Sequence, residues 1–199
     1  YILTRGSFIK GYYQSISSNI LSGGTNNPEF SNLGNVKSNF YGLAYSSNHV
    51  DYIQNPRKGT IIYFETSVGS RKAQVNDTSQ VTKSFTYRGK IKLEQFIPLY
   101  KRHVLRIANQ TEFYGAEEIF ENEVFRFGGL TSQRGFNEDE LFATTKNIFT
   151  LEYRFLLDKN SHVFLFADQT WYENISNTYY NDTPFGFGLG FAFSTDLGT

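Results

Sequence analysis

Apolar and polar residues alternate with a period of two along most of the chain, and helical periodicity is nearly absent. The alternation is clearest in residues 84–97, 147–157 and 185–195, where aromatic and aliphatic side chains fall on one face. Weaker alternation extends over residues 7–17, 38–48, 59–71, 104–114 and 161–171. Because the side chains of a β-strand point alternately to its two faces, the pattern predicts eight strands.

The predicted strands and their connections have the lengths expected of a membrane β-barrel. Most strands cover about 10 to 14 residues, whereas the mean strand of a soluble protein has roughly 5 to 6 and a tilted membrane-spanning strand needs about 9 to 11. Every second connection is long, and the long ones cover residues 18–37, 72–83, 115–146 and 172–184. This asymmetry predicts an all-β fold, an antiparallel transmembrane β-barrel. The alternative is a soluble β-sandwich, in which the charged strand faces would be solvated.

The composition favours the same interpretation. The chain has 35 aromatic residues against 43 Ala, Val, Ile and Leu residues, together with 51 Asn, Ser and Thr residues. Soluble cores are mostly aliphatic, whereas a lipid-facing band with aromatic girdles accounts for the excess of aromatic residues. The aromatic residues expected at the membrane interfaces are Tyr45, Phe96, Tyr100, Tyr114, Trp171 and Phe185. No apolar run is long enough to predict a transmembrane helix.

Charge and residue types exclude several functions. A net charge of zero argues against nucleic-acid binding, and the absence of Cys excludes disulfides, zinc–thiolate sites, iron–sulfur clusters and a Cys nucleophile. His49, His103 and His162 are far apart in the sequence and are expected to be interfacial or solvated. The acidic pairs and runs at 117–118 and 138–140 are expected to be solvated as well. We therefore predict no enzyme, no metal site and no cofactor.

The longest connection contains the most specific motif, Phe-Gly-Gly-Leu-Thr-Ser-Gln-Arg-Gly-Phe at residues 127–136. This segment resembles the Gly-Gly…Arg-Gly-Phe loop of the BamA/TamA-like outer-membrane assembly factors, the bacterial surface antigen barrels. In that family the loop folds into the barrel lumen, and its Arg contacts the Asp of a Phe-x-Asp pattern on the second strand after the loop. The residues that carry the resemblance are Gly128, Gly129, Arg134, Gly135, Phe136, Phe166 and Asp168.

Two further segments are similar to the same family. Asn-Pro-Arg-Lys-Gly at residues 55–59 resembles its strand-opening pattern, and residues 185–198 resemble its Gly-alternating strand with a Thr/Ser-x-x-Gly turn. The chain departs from the family by having Gln169 and Thr170 where Gly often follows the Asp. The small residues of the last strand have two possible interpretations, and both stay open. They leave room for a loop that folds inward, or they allow the strand to bend.

The resemblance implies that residues 1–199 form part of an outer-membrane β-barrel domain, about eight consecutive strands of a probable 16-stranded barrel, with a lumen-folding loop at 115–146. The implied function is the insertion of other barrel proteins into the outer membrane, or protein translocation across it. Implied partners are outer-membrane lipids, unfolded outer-membrane proteins, upstream periplasmic POTRA domains and accessory envelope proteins. The alternatives are a two-partner secretion transporter, a barrel fused to a patatin-like lipase, and a plain porin.

Alternation supports the predicted pairing independently of the resemblance. Asp168 falls on the same strand face as Phe166 and Thr170, away from Leu165, and is therefore predicted to face the interior. A forked hydrogen bond between Arg134 and Asp168 would be charge-assisted and specific in shape. Removal of one partner from such a buried pair costs about 3–5 kcal/mol.

Overall fold

The computed structural model describes residues 2–4, 6–19, 33–75 and 81–193, and these residues form strands, turns and loops without a helix. The strands are β1 (Ile2–Thr4), β2 (Ser7–Ser18), β3 (Gly34–Val50), β4 (Gly59–Val75), β5 (Val81–Tyr100), β6 (His103–Ala116), β7 (Phe125–Phe127), β8 (Leu141–Ala143), β9 (Thr145–Leu156), β10 (His162–Asn174), β11 (Tyr180–Asp182) and β12 (Phe185–Ala192). All eight predicted strands are present, and residues 194 and 195 of the last one lie outside the described residues. Among the described residues, no helix has the length and apolarity needed to cross a membrane.

One antiparallel sheet contains ten of these strands. Its order is β1-β2-β3-β4-β5-β6-β9-β10-β11, and β12 pairs with β10 beside β11. β7 and β8 form a separate two-stranded sheet. In the described part of the chain, no pairing joins β1 or β2 to β11 or β12, so the sheet has two open edges. The all-β, antiparallel part of the prediction is confirmed.

The two faces of the sheet are inverted relative to a soluble protein. The apolar face is exposed, as shown by Leu165, Phe187 and Leu189, which are 57%, 77% and 76% exposed. On the polar face, Asp168 and Thr170 of β10 are both 0% exposed, whereas the side chains of Lys90 and Lys92 of β5 are each 40% exposed. Large exposed apolar patches are rare on soluble monomers and mark protein or membrane contact surfaces.

Contacts between distant turns show that the sheet is strongly curved. The Tyr52 hydroxyl, in the turn after β3, donates to Asn160 Oδ1 in the turn after β9 over 2.8 Å. Four strand spacings separate the centres of these turns, which is about 19 Å in a flat sheet. On the polar face, Arg88 of β5 likewise reaches Gln14 of β2. The polar face is therefore the concave one.

Two of the aromatic residues that were assigned to the membrane interfaces lie on the concave face instead. Phe96 is 2% exposed and packs with Val104 and Leu156 at the end of the sheet where short turns join the strands. Tyr114 is 9% exposed and packs near the opposite end. Each has the strand parity of the polar face, so the assignment from position near a strand end was wrong. His162, which was expected to be interfacial or solvated, is also buried, at 8% exposed.

Candidate functional site

The connection between β6 and β9 lies against the concave face. It was predicted as a long connection at 115–146, and the structure extends β6 to Ala116, begins β9 at Thr145 and places the β7–β8 hairpin between them. The base of the connection is closed because the Tyr114 amide donates to the Thr144 carbonyl over 2.8 Å. We call residues 117–144 the inner loop.

The tip of the inner loop is a tight turn that depends on its glycines. Gly128, Gly129 and Gly135 have φ angles of 127°, 82° and 96°, in the region that residues with a Cβ rarely adopt. The Gly129 amide donates to the carbonyl of Phe136 over 3.1 Å, and the Gly128 amide donates to Ser132 Oγ over 2.8 Å. These bonds fix the backbone on both sides of Arg134.

Arg134 and Asp168 form the contact that was predicted. Arg134 Nε donates to Asp168 Oδ2 over 2.6 Å, and its Nη2 donates to Oδ1 over 2.7 Å. Asp168 is fully buried and the Arg134 side chain is 11% exposed. The two parallel bonds occupy both carboxylate oxygens, which is the geometry that an arginine fork allows and a lysine does not.

Glu152 of β9 is a second acceptor for Arg134, and sequence reasoning did not select it as a site residue. Its Oε2 accepts from Arg134 Nη1 over 2.6 Å, and its Oε1 accepts from Arg154 Nε over 2.7 Å. Arg106 lies 3.6 Å from the same carboxylate and also binds Glu94 at 2.8 Å. The signal was present in the sequence, because alternation places Glu152 on the same polar face as Arg154.

Burial and hydrogen bonding have opposite effects on the charge of Arg134. Burial disfavours the charged guanidinium, but the hydrogen bonds from Arg134 to Asp168 and Glu152 outweigh it and raise the pKa of Arg134 above its ordinary value. The Phe166 ring lies beneath the guanidinium, with 3.8 Å from its centroid to Arg134 Cζ. This stacking adds a cation–π interaction, so Phe166 supports the fork directly.

The residue before Arg134 adds a neutral contact. Gln133 is fully buried, and its Oε1 accepts a hydrogen bond from the Thr170 hydroxyl. Its Nε2 also lies 3.4 Å from the Asp168 carbonyl oxygen. Thr170 therefore supplies a hydrogen-bond partner for the loop.

Gly186 of β12 permits the inner loop to approach the sheet. A Cβ at this position would lie 1.9 Å from the Arg134 carbonyl oxygen, which is closer than any real contact. At Gly188 and Gly190 a Cβ would meet the rings of Phe166 and Phe164 at 2.9 and 2.5 Å. Gly186 therefore leaves room for the inner loop, whereas Gly188 and Gly190 leave room for aromatic rings of β10.

A second set of contacts holds the inner loop against β3 and β4, at a distance along the concave face from the contacts of Arg134. Arg71 of β4 donates to Glu123 through Nε at 2.8 Å and through Nη2 at 2.5 Å. The Tyr114 hydroxyl donates to the same carboxylate over 2.7 Å, and Asn122 Nδ2 donates to the Gly34 carbonyl over 2.9 Å. The inner loop thus bridges β3 and β4 at one side to β9, β10 and β12 at the other.

The buried charges around Arg134 are paired with one another. Each buried carboxylate near Arg134 is neutralised by an arginine, so none is left as a free base or nucleophile. In the described ranges, no group of three or more His, Asp and Glu side chains could hold a metal ion.

Comparison of the chain with protein-family models and with curated proteins finds no match.

Proposed function

We propose that the chain is an arc of a transmembrane β-barrel in the outer membrane, and that its concave face is turned to the barrel interior. The exposed apolar face supports lipid contact, and the buried polar face with an inward loop supports a polar interior. A barrel of eight strands leaves an interior wide enough only for side chains. Because the inner loop occupies the concave face as well, we propose a barrel with more strands than these.

We further propose that the protein acts as an assembly or translocation factor for outer-membrane proteins. The observation that carries this proposal is the fork between Arg134 and Asp168, reached through the Gly-Gly…Arg-Gly-Phe turn and set against Gly186. The motif resembles that of BamA/TamA-like assembly factors, and the contact has the form that the resemblance implies. The inner loop would brace the barrel wall, while unfolded barrel proteins would be the substrates.

The test is a folding assay with the full-length protein in lipid vesicles. Urea-denatured outer-membrane barrels of two unrelated sequences are added, and the folded fraction is followed by heat-modifiable migration in gels. We expect faster folding of both substrates than in empty vesicles or in vesicles that carry a plain porin. The Arg134→Ala variant, inserted to the same level, should accelerate folding less.

The outcomes separate this function from its alternatives. Transport of one dedicated exported protein, without faster barrel folding, would indicate a secretion transporter. Equal folding rates in vesicles with the full-length protein and with the porin would refute the proposed function. In both cases, the proposal that the protein spans the membrane would be tested separately, by measuring insertion of the protein itself into vesicles.

A further inference from the structure

The three short turns at one end of the sheet enclose a polar pocket that is separate from the inner loop. They are residues 51–58, 101–102 and 157–161, which we call the short-turn rim. Arg57 Nη2 donates to the Lys101 carbonyl over 2.9 Å, and the Leu156 amide donates to the Arg102 carbonyl over 2.8 Å. The pocket has a volume of about 670 Å³, within the usual range for small-ligand sites of about 300–1,000 Å³.

The pocket is lined by four cations and two carboxylates, namely Arg57, Lys101, Arg102, Lys159, Asp51 and Asp158. Both carboxylates accept hydrogen bonds from backbone amides of their own turns. Asp51 Oδ1 accepts from the amides of Arg57 and Lys58 at 2.9 and 3.1 Å. Asp158 Oδ1 accepts from the amides of Asn160 and Ser161 at 2.7 and 2.8 Å, and the first of these bonds contributes most to lowering the pKa of Asp158.

The four cations are consequently left without carboxylate partners. Across the described residues, none of them lies within salt-bridge distance of an Asp or Glu, whereas Arg134, Arg106 and Arg154 of the concave face are all paired. Lys159 Nζ lies 4.8 Å from the Tyr52 ring centroid. The rim therefore presents unneutralised positive charge around a pocket.

The short-turn rim carries a net positive charge. It contains five Lys and Arg residues and two Asp. A phosphate group would thus be attracted to the rim. The exposed apolar face reaches the rim at Leu99 and Leu157, which are 54% and 50% exposed.

We propose that this pocket binds the phosphodiester headgroup of a membrane phospholipid, whose acyl chains lie along the apolar face beside Leu157. Arg102, Lys101 and Lys159 contact the phosphate, and the rim fixes the depth of the sheet in the bilayer. This inference rests on the proposed membrane-spanning arrangement, because that arrangement brings lipid headgroups to the rim. The proposed ligand of the rim is a phospholipid headgroup, whereas the contacts of the inner loop are made within the protein.

The test counts phospholipids retained by the full-length protein in detergent, by native mass spectrometry. Phosphatidylethanolamine and an uncharged galactolipid with the same acyl chains are offered in parallel. The variant carries Lys101→Gln, Arg102→Gln and Lys159→Gln, and Arg57 is kept because its side chain holds a backbone carbonyl. The matched control carries Lys37→Gln, Lys72→Gln and Lys83→Gln, three exposed cations near the other end.

We expect the wild type and the control to retain phosphatidylethanolamine, and the rim variant to retain at least about tenfold less, since each cation near a lipid surface contributes to headgroup attraction. Equal retention by both variants, or equal retention of the galactolipid, would overturn the proposal. Competition by millimolar inorganic phosphate, or preferential binding of polyglutamate, would assign the pocket to another ligand and overturn it too. Since barrel folding rates are measured separately, failure here is distinct from failure of the proposed function.

Discussion

Asp168 and Arg134 meet through two parallel hydrogen bonds of 2.6 and 2.7 Å although 34 residues separate them in the chain. One lies on a strand and the other at the tip of a loop that doubles back over that strand. The pair therefore couples the position of the inner loop to the register of β10.

Replacement of Arg134 by Ala leaves two buried carboxylates without their shared cation. We expect the free energy of unfolding to fall by about 3–5 kcal/mol, measured by urea titration of the heat-modifiable form in detergent. Arg134→Lys keeps the charge but loses the fork, so its loss should be smaller. The control is Arg126→Ala in β7, which removes an exposed arginine of the same loop and should cost about 1 kcal/mol or less. Equal losses for Arg134→Ala and Arg126→Ala would contradict the prediction.

Glu152 should contribute as much to the free energy of unfolding as Asp168, because it accepts hydrogen bonds from Arg134 and Arg154 and lies near Arg106. Glu152→Gln leaves an excess of buried positive charge and should lower the free energy of unfolding by about 3 kcal/mol. The same titration measures it. Glu117→Gln, an exposed residue of the inner loop, is the matched control and should change stability by less than about 0.5 kcal/mol. A loss for Glu152→Gln no larger than this control would argue against the shared carboxylate.

Gly186→Ala should displace the loop tip, since the added methyl would lie 1.9 Å from the Arg134 carbonyl oxygen. Arg134 is the one Lys or Arg residue between positions 127 and 145, so trypsin cleavage there reports on the tip alone. We expect cleavage after Arg134 to be slow in the wild type and rapid in Gly186→Ala. At Gly11 the nearest atom to a Cβ would be 3.8 Å away, so Gly11→Ala should leave the tip protected. Protection in both variants would refute this account of Gly186.

The apolar face should respond to charge according to depth in the bilayer. Leu151 lies mid-strand and exposed, so Leu151→Arg should cost about 2–4 kcal/mol in lipid, whereas Leu99→Arg near the end of β5 should cost about 1 kcal/mol or less. Folding from urea into lipid vesicles gives both values. If the face were solvated in the native protein, both substitutions would be nearly neutral.

Alternation was sufficient to predict the eight long strands, although it is clear in only three of them and weaker in the other five. It also placed Asp168 on the polar face, where the structure finds it buried. The assignment of Phe96 and Tyr114 to the membrane interfaces was wrong, since their closeness to strand ends was weighted above the face that their parity gives them. For both residues the strand parity, and not the distance from the strand end, gives the face that the structure shows.

The interior of the long connection was beyond prediction from the sequence. The β7–β8 hairpin pairs only three residues on each side, too few to show a period. The ion pair between Arg71 and Glu123 was not predicted either, because Glu123 is one of four Glu residues at 117–124 and no spacing distinguishes it. Only the register of the folded loop selects that carboxylate.

The inner loop spans the concave face from Arg71 on β4 to Asp168 on β10, so it fixes the distance between two strands that are not neighbours. The radius of the sheet is thereby set by contacts within it and does not depend on the pairing of its outermost strands. Such a sheet can keep its curvature although, in the described residues, its outermost strands do not pair with each other, because the ion pairs of the inner loop hold strands that are not neighbours.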